Sequence, residues 1–304
     1  MRVASISTSI LLAVSSVSAG SVIPKELADL ATRGEPDRVA ILGALQTFIT
    51  DFSYPRLADI AKNITYSGFA DTINGRLDIT QEYNGNELNV EYIFGFAAAC
   101  AALNTTLLLG YPVNQTVFAL AIDPPVVSIS AIANYDWKGD IGVQPLQVDT
   151  WFRYDDDLKL VGYDISMRRF SWLFETITPL IGAGIAKELN ITGPDALDYE
   201  RLMQTRAALD ICAAHDQYCT GENQQYATHA ECIDTLQNKK PLGKPWAMGI
   251  DNTMCRWVHF GMLQYRPAVH CPHVGPTGGD MCNERSYYAA TLNNPFALPF
   301  AAGA

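Results

Sequence analysis

Cysteine is nearly absent from the first 211 residues of this chain, where only Cys100 occurs, and histidine is absent before His215. The first absence excludes a disulfide framework for the front of the molecule, which an apolar core must hold together. The second excludes a histidine base, and any Ser-His-Asp or Cys-His arrangement, built from front residues alone. Positive charge is scarce as well: 21 Lys and Arg stand against 32 Asp and Glu, a net charge of −11. Without a clustered basic footprint, nucleic acid and anionic membrane surfaces are excluded as partners. Beyond the N-terminus no run reaches the roughly 18 consecutive apolar residues of a membrane helix, and Pro295 to Ala304 is too short for a lipid-anchor signal. No membrane span and a soluble product are therefore expected.

What is present begins with a leader. Arg2 provides a positive n-region, Ile10 to Val14 an apolar h-region and Val17-Ser18-Ala19 a small-residue cleavage site. Residues 1–19 read as a signal peptide, and the mature, secreted protein begins at Gly20. Four sequons, at Asn63, Asn104, Asn114 and Asn190, agree with that route and predict solvent-facing, glycosylated asparagines. In an oxidising compartment Cys212, Cys219, Cys232, Cys255, Cys271 and Cys282 read as three disulfides, among fifteen connectivities that spacing cannot separate. Zinc is the competing reading, and the lack of any CxxC pair opposes it. Cys100, in an Ala-rich run, reads as a core thiol.

The hydrophobic content of 48% indicates a folded chain with a real core. Helices are expected over 25–33, 37–50 and from Pro55 to about Ile60, with Val39, Leu42, Leu45, Phe48 and Ile49 at helical spacing in the second. Gly75 to Thr80 alternates like a half-buried strand, Asn84-Gly85 turns the chain, and 89–103 returns to helix. Strands follow over 116–122, 126–136 and 147–154, then an Asp155-Asp156-Asp157 turn and a last strand over 158–169. This pattern is α+β: a curved antiparallel sheet with helices packed on one side. The expected division is 20–36 N-terminal segment, 37–180 cone-shaped domain, 181–290 small disulfide-rich helical module and 291–304 tail. In the module, helices are expected over 199–214, capped by Asp198, and from Asp251 to about Tyr265.

The element order over 37–170, with Trp151-Phe152-Arg153-Tyr154-Asp155-Asp156-Asp157-Leu158-Lys159-Leu160 as its hairpin, resembles the nuclear transport factor 2-like and SnoaL-like cone proteins. Four further stretches, 75–80, 87–95, Tyr218-Cys219-Thr220-Gly221 and His270 to Gly279, resemble a family of secreted fungal proteins without an assigned activity. That second resemblance implies fold and compartment and carries no catalytic residue. The first implies an apolar pocket that, in isomerases, dehydratases and cyclases, holds an Asp or His base with Tyr or Asp donors. It also implies possible pairing of two cones into a homodimer through the open sheet face.

Strand alternation supplies the candidates. Asp149, Trp151 and Arg153 share one face, Asp164, Ser166 and Arg168 the next, and Arg76, Asp78 and Thr80 a third. If those faces are concave, Asp149, Asp164 or Asp78 is a pocket base, with Tyr163 as donor and Trp151 as a wall; if convex, they carry cross-strand ion pairs. The opposite faces, Val148-Thr150-Phe152-Tyr154 and Val161-Tyr163-Ile165-Met167, read as core. Tyr54 and Asp59 stand where such folds place pocket-mouth residues. His259, His270 and His273 invite a metal site, against which structural histidines bonded to loop backbone are the preferred reading. Gly275-Pro276-Thr277-Gly278-Gly279 could offer backbone amides to an anion but reads as a tight loop, and no metal or cofactor is assigned. Three functions remain: a secreted glycoprotein binding a small apolar ligand, a carboxylate-dependent isomerase, dehydratase or cyclase, and a non-catalytic, effector-like surface protein.

Overall fold

The computed structural model describes residues 22–25, 36–292, 294 and 296. The signal segment, nearly all of the helix expected over 25–33 and most of the tail lie outside these residues. The apolar spacing of the second expected helix builds α1 (Pro36–Asp51), which buries Ile41, Leu45, Phe48 and Ile49. α2 (Arg56–Asn63) follows and buries Leu57 and Ala61. The first strand starts and stops earlier than alternation suggests. β1 is Phe69–Leu77, and Asp78 to Thr80 form a turn closed by the Thr80 amide donating to the Leu77 carbonyl.

After the short β2 (Glu82–Asn84), α3 (Asn86–Val90) runs through a π-helical turn (Glu91–Gly95) into α4 (Phe96–Ala102). The long strands are β3 (Tyr111–Asp123), β4 (Val126–Asp136), β5 (Val143–Tyr154) and β6 (Leu160–Arg168). They form one six-stranded sheet in the order β2-β1-β6-β5-β4-β3, antiparallel except where β1 runs parallel to β6. Helices α1 to α4 cover its apolar face, so the expected α+β layering is present.

α5 (Phe170–Glu188) has no counterpart among the expected elements. It carries Pro179 in its interior, which obscures a helical reading, yet buries Phe170, Phe174, Ile177, Ile181 and Ile185 at helical spacing. It leads to α6 (Tyr199–Tyr218), where Asp198 caps as expected by accepting from the Arg201 amide at 3.0 Å. α7 (His229–Asp234), α8 (Thr253–Phe260), α9 (Pro267–Val274) and α10 (Tyr287–Leu292) complete the chain. The expected cap of α8 moves by one residue: Asn252, not Asp251, accepts from the Cys255 amide at 2.8 Å. Asp251 is drawn away by Lys240 at 2.6 Å and by the fully buried Arg256 at 2.7 Å.

All six module cysteines are paired, as Cys212–Cys232, Cys219–Cys271 and Cys255–Cys282, and Cys100 is a buried free thiol. The disulfide reading thereby displaces the zinc-thiolate one. The 275–279 loop packs tightly. Gly278 has φ of 77°, and a Cβ there would meet the Cys282 carbonyl oxygen at 2.1 Å, so only glycine fits. Buried Arg256 fastens the loop by donating to the Gly275 and Pro276 carbonyls at 2.9 and 3.1 Å.

The module lies against the front layer. The Met248 amide donates to the Ile79 carbonyl at 2.9 Å, Arg266 to Glu91 at 2.6 Å and Arg285 to Glu82 at 2.6 Å. Among the described residues no helix is long and apolar enough to cross a membrane.

Candidate functional site

Because successive strand residues point to opposite faces, one register decides which side of the sheet meets the helices. On β4, Ile129, Ala131, Ala133 and Tyr135 face inward; on β5, Leu146, Val148, Thr150 and Phe152 do so, with Ile165 and Met167 on β6. Ala131 opposes Val148, and Val148 opposes Met167, which places small side chains against medium ones at the centre of the sheet. The helices do not fill the resulting hollow. A cavity of about 130 Å³ remains, bounded by these strand residues, by Phe48 and Ile49 of α1 and Phe52 just after it, and by Phe96 of α4. The module completes the wall with Met248 and Val258.

No carboxylate and no cation is among the residues lining this cavity. Its polar groups are neutral: Thr80, Gln115 and Thr150, and the tyrosines Tyr83, Tyr92 and Tyr135. The Tyr83 hydroxyl donates to Thr80, and the Tyr92 hydroxyl lies 2.5 Å from His259 Nε2. Tyr135, near the end of β4, is buried and lines the cavity. Burial pushes all three phenols above their ordinary pKa. They therefore act as hydrogen-bond donors, not as bases. The walls are oily and aromatic, with few orienting donors, which is the composition of a small-molecule site.

The expected carboxylates lie on the other face of the sheet. Arg168 Nε donates to Asp149 at 2.6 Å, and Arg76 Nε donates to Asp164 at 2.9 Å. Burial raises the Asp149 pKa, but the Ser130 hydroxyl, Arg168 and Gln147 outweigh it and hold the carboxyl below its usual value. Asp78 accepts from the Met167 amide at 3.2 Å and the Ser166 hydroxyl at 3.3 Å; burial raises its pKa, and it does not line the cavity. The two alternation sets thus form the convex arrangement of cross-strand pairs. Trp151 is 49% exposed there and is no cavity wall.

Tyr163 is inside the core, and its hydroxyl donates to Asn89 Oδ1 at 2.6 Å instead of facing the cavity. Asp59 is an exposed partner of Lys62 at 2.8 Å, and Tyr54 packs edge-on against Tyr111. Of the sequon asparagines, Asn63, Asn104 and Asn190 are exposed, whereas Asn114 is half-buried and accepts from Asn134 at 2.6 Å.

The residues that do line the cavity were accessible to alternation only as a core stripe. A filled core and a hollow one share the same pattern. Tyr83 and Tyr92 carry no sequence signal at all, because they reach the cavity from β2 and from a π-helical turn. Three of the module's five histidines, His259, His270 and His273, also differ from the backbone-bonded reading. Their ring nitrogens contact one another, Tyr92, Glu91 and Asp280, and they stand on α8 and α9.

With this geometry in hand, residues 46–165 match the BfoA N-terminal domain and residues 169–285 the BfoA family C-terminal domain. Over 245 residues the chain is 37% identical to aurasperone B biosynthesis cluster protein A of Aspergillus niger, spanning 80% of this chain and 77% of that protein. Its identity to bifonsecin B biosynthesis cluster protein A of Aspergillus brasiliensis is also 37%, over 80% of this chain and 79% of that one. Among solved structures, a putative SnoaL-like polyketide cyclase from Jannaschia sp. CCS1 aligns at a TM-score of 0.34 and 10% identity, over 47% of this chain and 94% of that one. PrhC from Penicillium brasilianum aligns at 0.34 and 12% identity, over 53% and 97%.

Proposed function

The chain belongs to the BfoA family, and on that premise we propose that it binds a small, mainly apolar, ring-containing molecule in the cavity between sheet and helices. The observation that carries this reading is a cavity of about 130 Å³ whose walls hold aromatic and aliphatic side chains and no charge. An apolar cavity of roughly 150 Å³ takes up benzene, so about one ring fits here without backbone movement. Tyr135 and Thr150, hydroxyl-bearing residues of the sheet wall, would orient an oxygen on that ring. Two relatives are named for the biosynthesis clusters of aurasperone B and bifonsecin B, so a product or intermediate of a biosynthetic route is the first ligand class to test.

The same reading includes export. Three disulfides support an oxidising compartment, and exposed Asn63, Asn104 and Asn190 are open to glycan attachment. A carboxylate-dependent isomerase, dehydratase or cyclase has no such support, because Asp78, Asp149 and Asp164 stand off the cavity. Native mass spectrometry of the deglycosylated protein, taken from its own secretion medium, tests the binding reading. A bound molecule of one or more rings is expected. An empty protein that also takes up nothing from an apolar aromatic panel in calorimetry would leave the effector-like reading instead.

A further inference from the structure

The module closes one side of the cavity, and just behind that wall it brings three imidazoles together. His259 comes from α8; His270 and His273, three residues apart, come from one face of α9. All three are buried, and one ring nitrogen of each lies within 4.8 Å of those of the other two. We propose that His259, His270 and His273 bind a single divalent transition-metal ion of the zinc class, with the Tyr92 hydroxyl at the fourth position, on the cavity side.

Distance supports a shared ion. Metal–imidazole bonds of about 2.0–2.1 Å in a tetrahedral site set ligand atoms roughly 3.3 Å apart. His259 Nδ1 and His273 Nδ1 are 3.1 Å apart, and the Tyr92 hydroxyl is 3.0 Å from His259 Nδ1. A ring nitrogen of His270 stands within 4.8 Å of one on each of the other two histidines. Disulfides at Cys255 and Cys271, on the same two helices, fix the backbone from which the rings project. Cys255 and Cys282 also lie near His259, but they are bonded to each other and offer no thiolate.

Hydrogen bonding supports it independently. His273 Nε2 is 2.7 Å from Asp280 Oδ1, and a carboxylate only accepts, so Nε2 carries the proton and Nδ1 presents its lone pair to His259. This is the carboxylate–histidine relay that orients metal ligands. His270 Nε2 faces the buried Glu91 carboxylate at 3.0 Å, whereas its Nδ1 is buried without a partner. An orphaned buried imidazole nitrogen calls for an explanation, which an ion supplies. Three imidazoles and a phenol suit zinc or copper and not the hard ions magnesium and calcium, which take carboxylate-rich oxygen sets.

The test uses the full-length secreted protein without a histidine tag, stripped with chelator and titrated with Zn²⁺ and, separately, Co²⁺. One equivalent of either ion per chain is expected, with the intense visible absorption of four-coordinate Co²⁺. His270→Gln is expected to lower affinity at least 100-fold. Asp280→Asn, at an exposed side chain where misfolding is not at issue, is expected to lower it about 10- to 100-fold. His229→Gln, at an exposed histidine outside the cluster, is expected to leave it unchanged. Wild-type protein taking up less than a tenth of an equivalent, or unchanged affinity in both His270→Gln and Asp280→Asn, overturns the proposal.

Discussion

Filling the cavity from within separates ligand binding from mere looseness of the core. Ala131 lies at the centre of β4, is 1% exposed and stands beside its register partner Val148 on the sheet wall of the hollow. Phenylalanine at this position places one ring where the ligand's ring is proposed to sit. A bound ring withdraws roughly 150–200 Å² of apolar surface from water. At about 25 cal/mol per Å² that is about 4–5 kcal/mol. Its loss is about three powers of ten in Kd. Isothermal calorimetry of Ala131→Phe, with the molecule found by native mass spectrometry or with phenol as a one-ring surrogate, reads this directly. Urea denaturation checks that the variant is folded, and its stability is expected within about 1–3 kcal/mol of the parent, since an added ring in a hollow relieves as well as crowds. Folded Ala131→Phe binding within threefold of wild type would refute the reasoning, because ligand and side chain cannot share one space.

Other consequences follow from named contacts. Arg256→Met should destabilise the protein by about 3–5 kcal/mol in urea, because it removes donors to the Gly275, Pro276 and Asn252 carbonyls and leaves Asp251 with Lys240 alone; a loss under 1 kcal/mol would contradict it. Removing Cys219–Cys271 as a serine pair, a bridge across 52 residues, should cost about 4 kcal/mol in the chain-entropy account. The Asp251 carboxyl should also set part of the acid limb. Burial raises its pKa, but Lys240 and Arg256 outweigh that and lower it overall. Its contribution is therefore intact above the ordinary carboxylate value and is lost as pH falls through the lower folded value, so Asp251→Asn should flatten stability against pH below about 4. Finally, glycosidase treatment of secreted protein should remove mass from Asn63, Asn104 and Asn190, and peptide mapping that finds all three bare would refute the glycoprotein reading.

How far the amino-acid sequence reached depends on the range of the forces involved. Helices α1 and α6, the long strands and the disulfide-rich tail were legible because apolar period, capping and turn residues act over a few neighbours. So was the confinement of the disulfides to the C-terminal part, which is a matter of where cysteines fall. The same locality explains the failures. Alternation separated Asp149 from Thr150 correctly but could not say which face was concave, because that depends on the register of β5 against β4 and on helices far away in the chain. It also could not distinguish a filled core stripe from a cavity wall, since the hollow arises only where Ala131 and Ala133 meet α1 and the module. His259 and His270 are 11 residues apart on different helices, and Tyr92 joins them from across the molecule. Their convergence is decided by disulfides and packing between distant segments, which is information that only the tertiary structure holds.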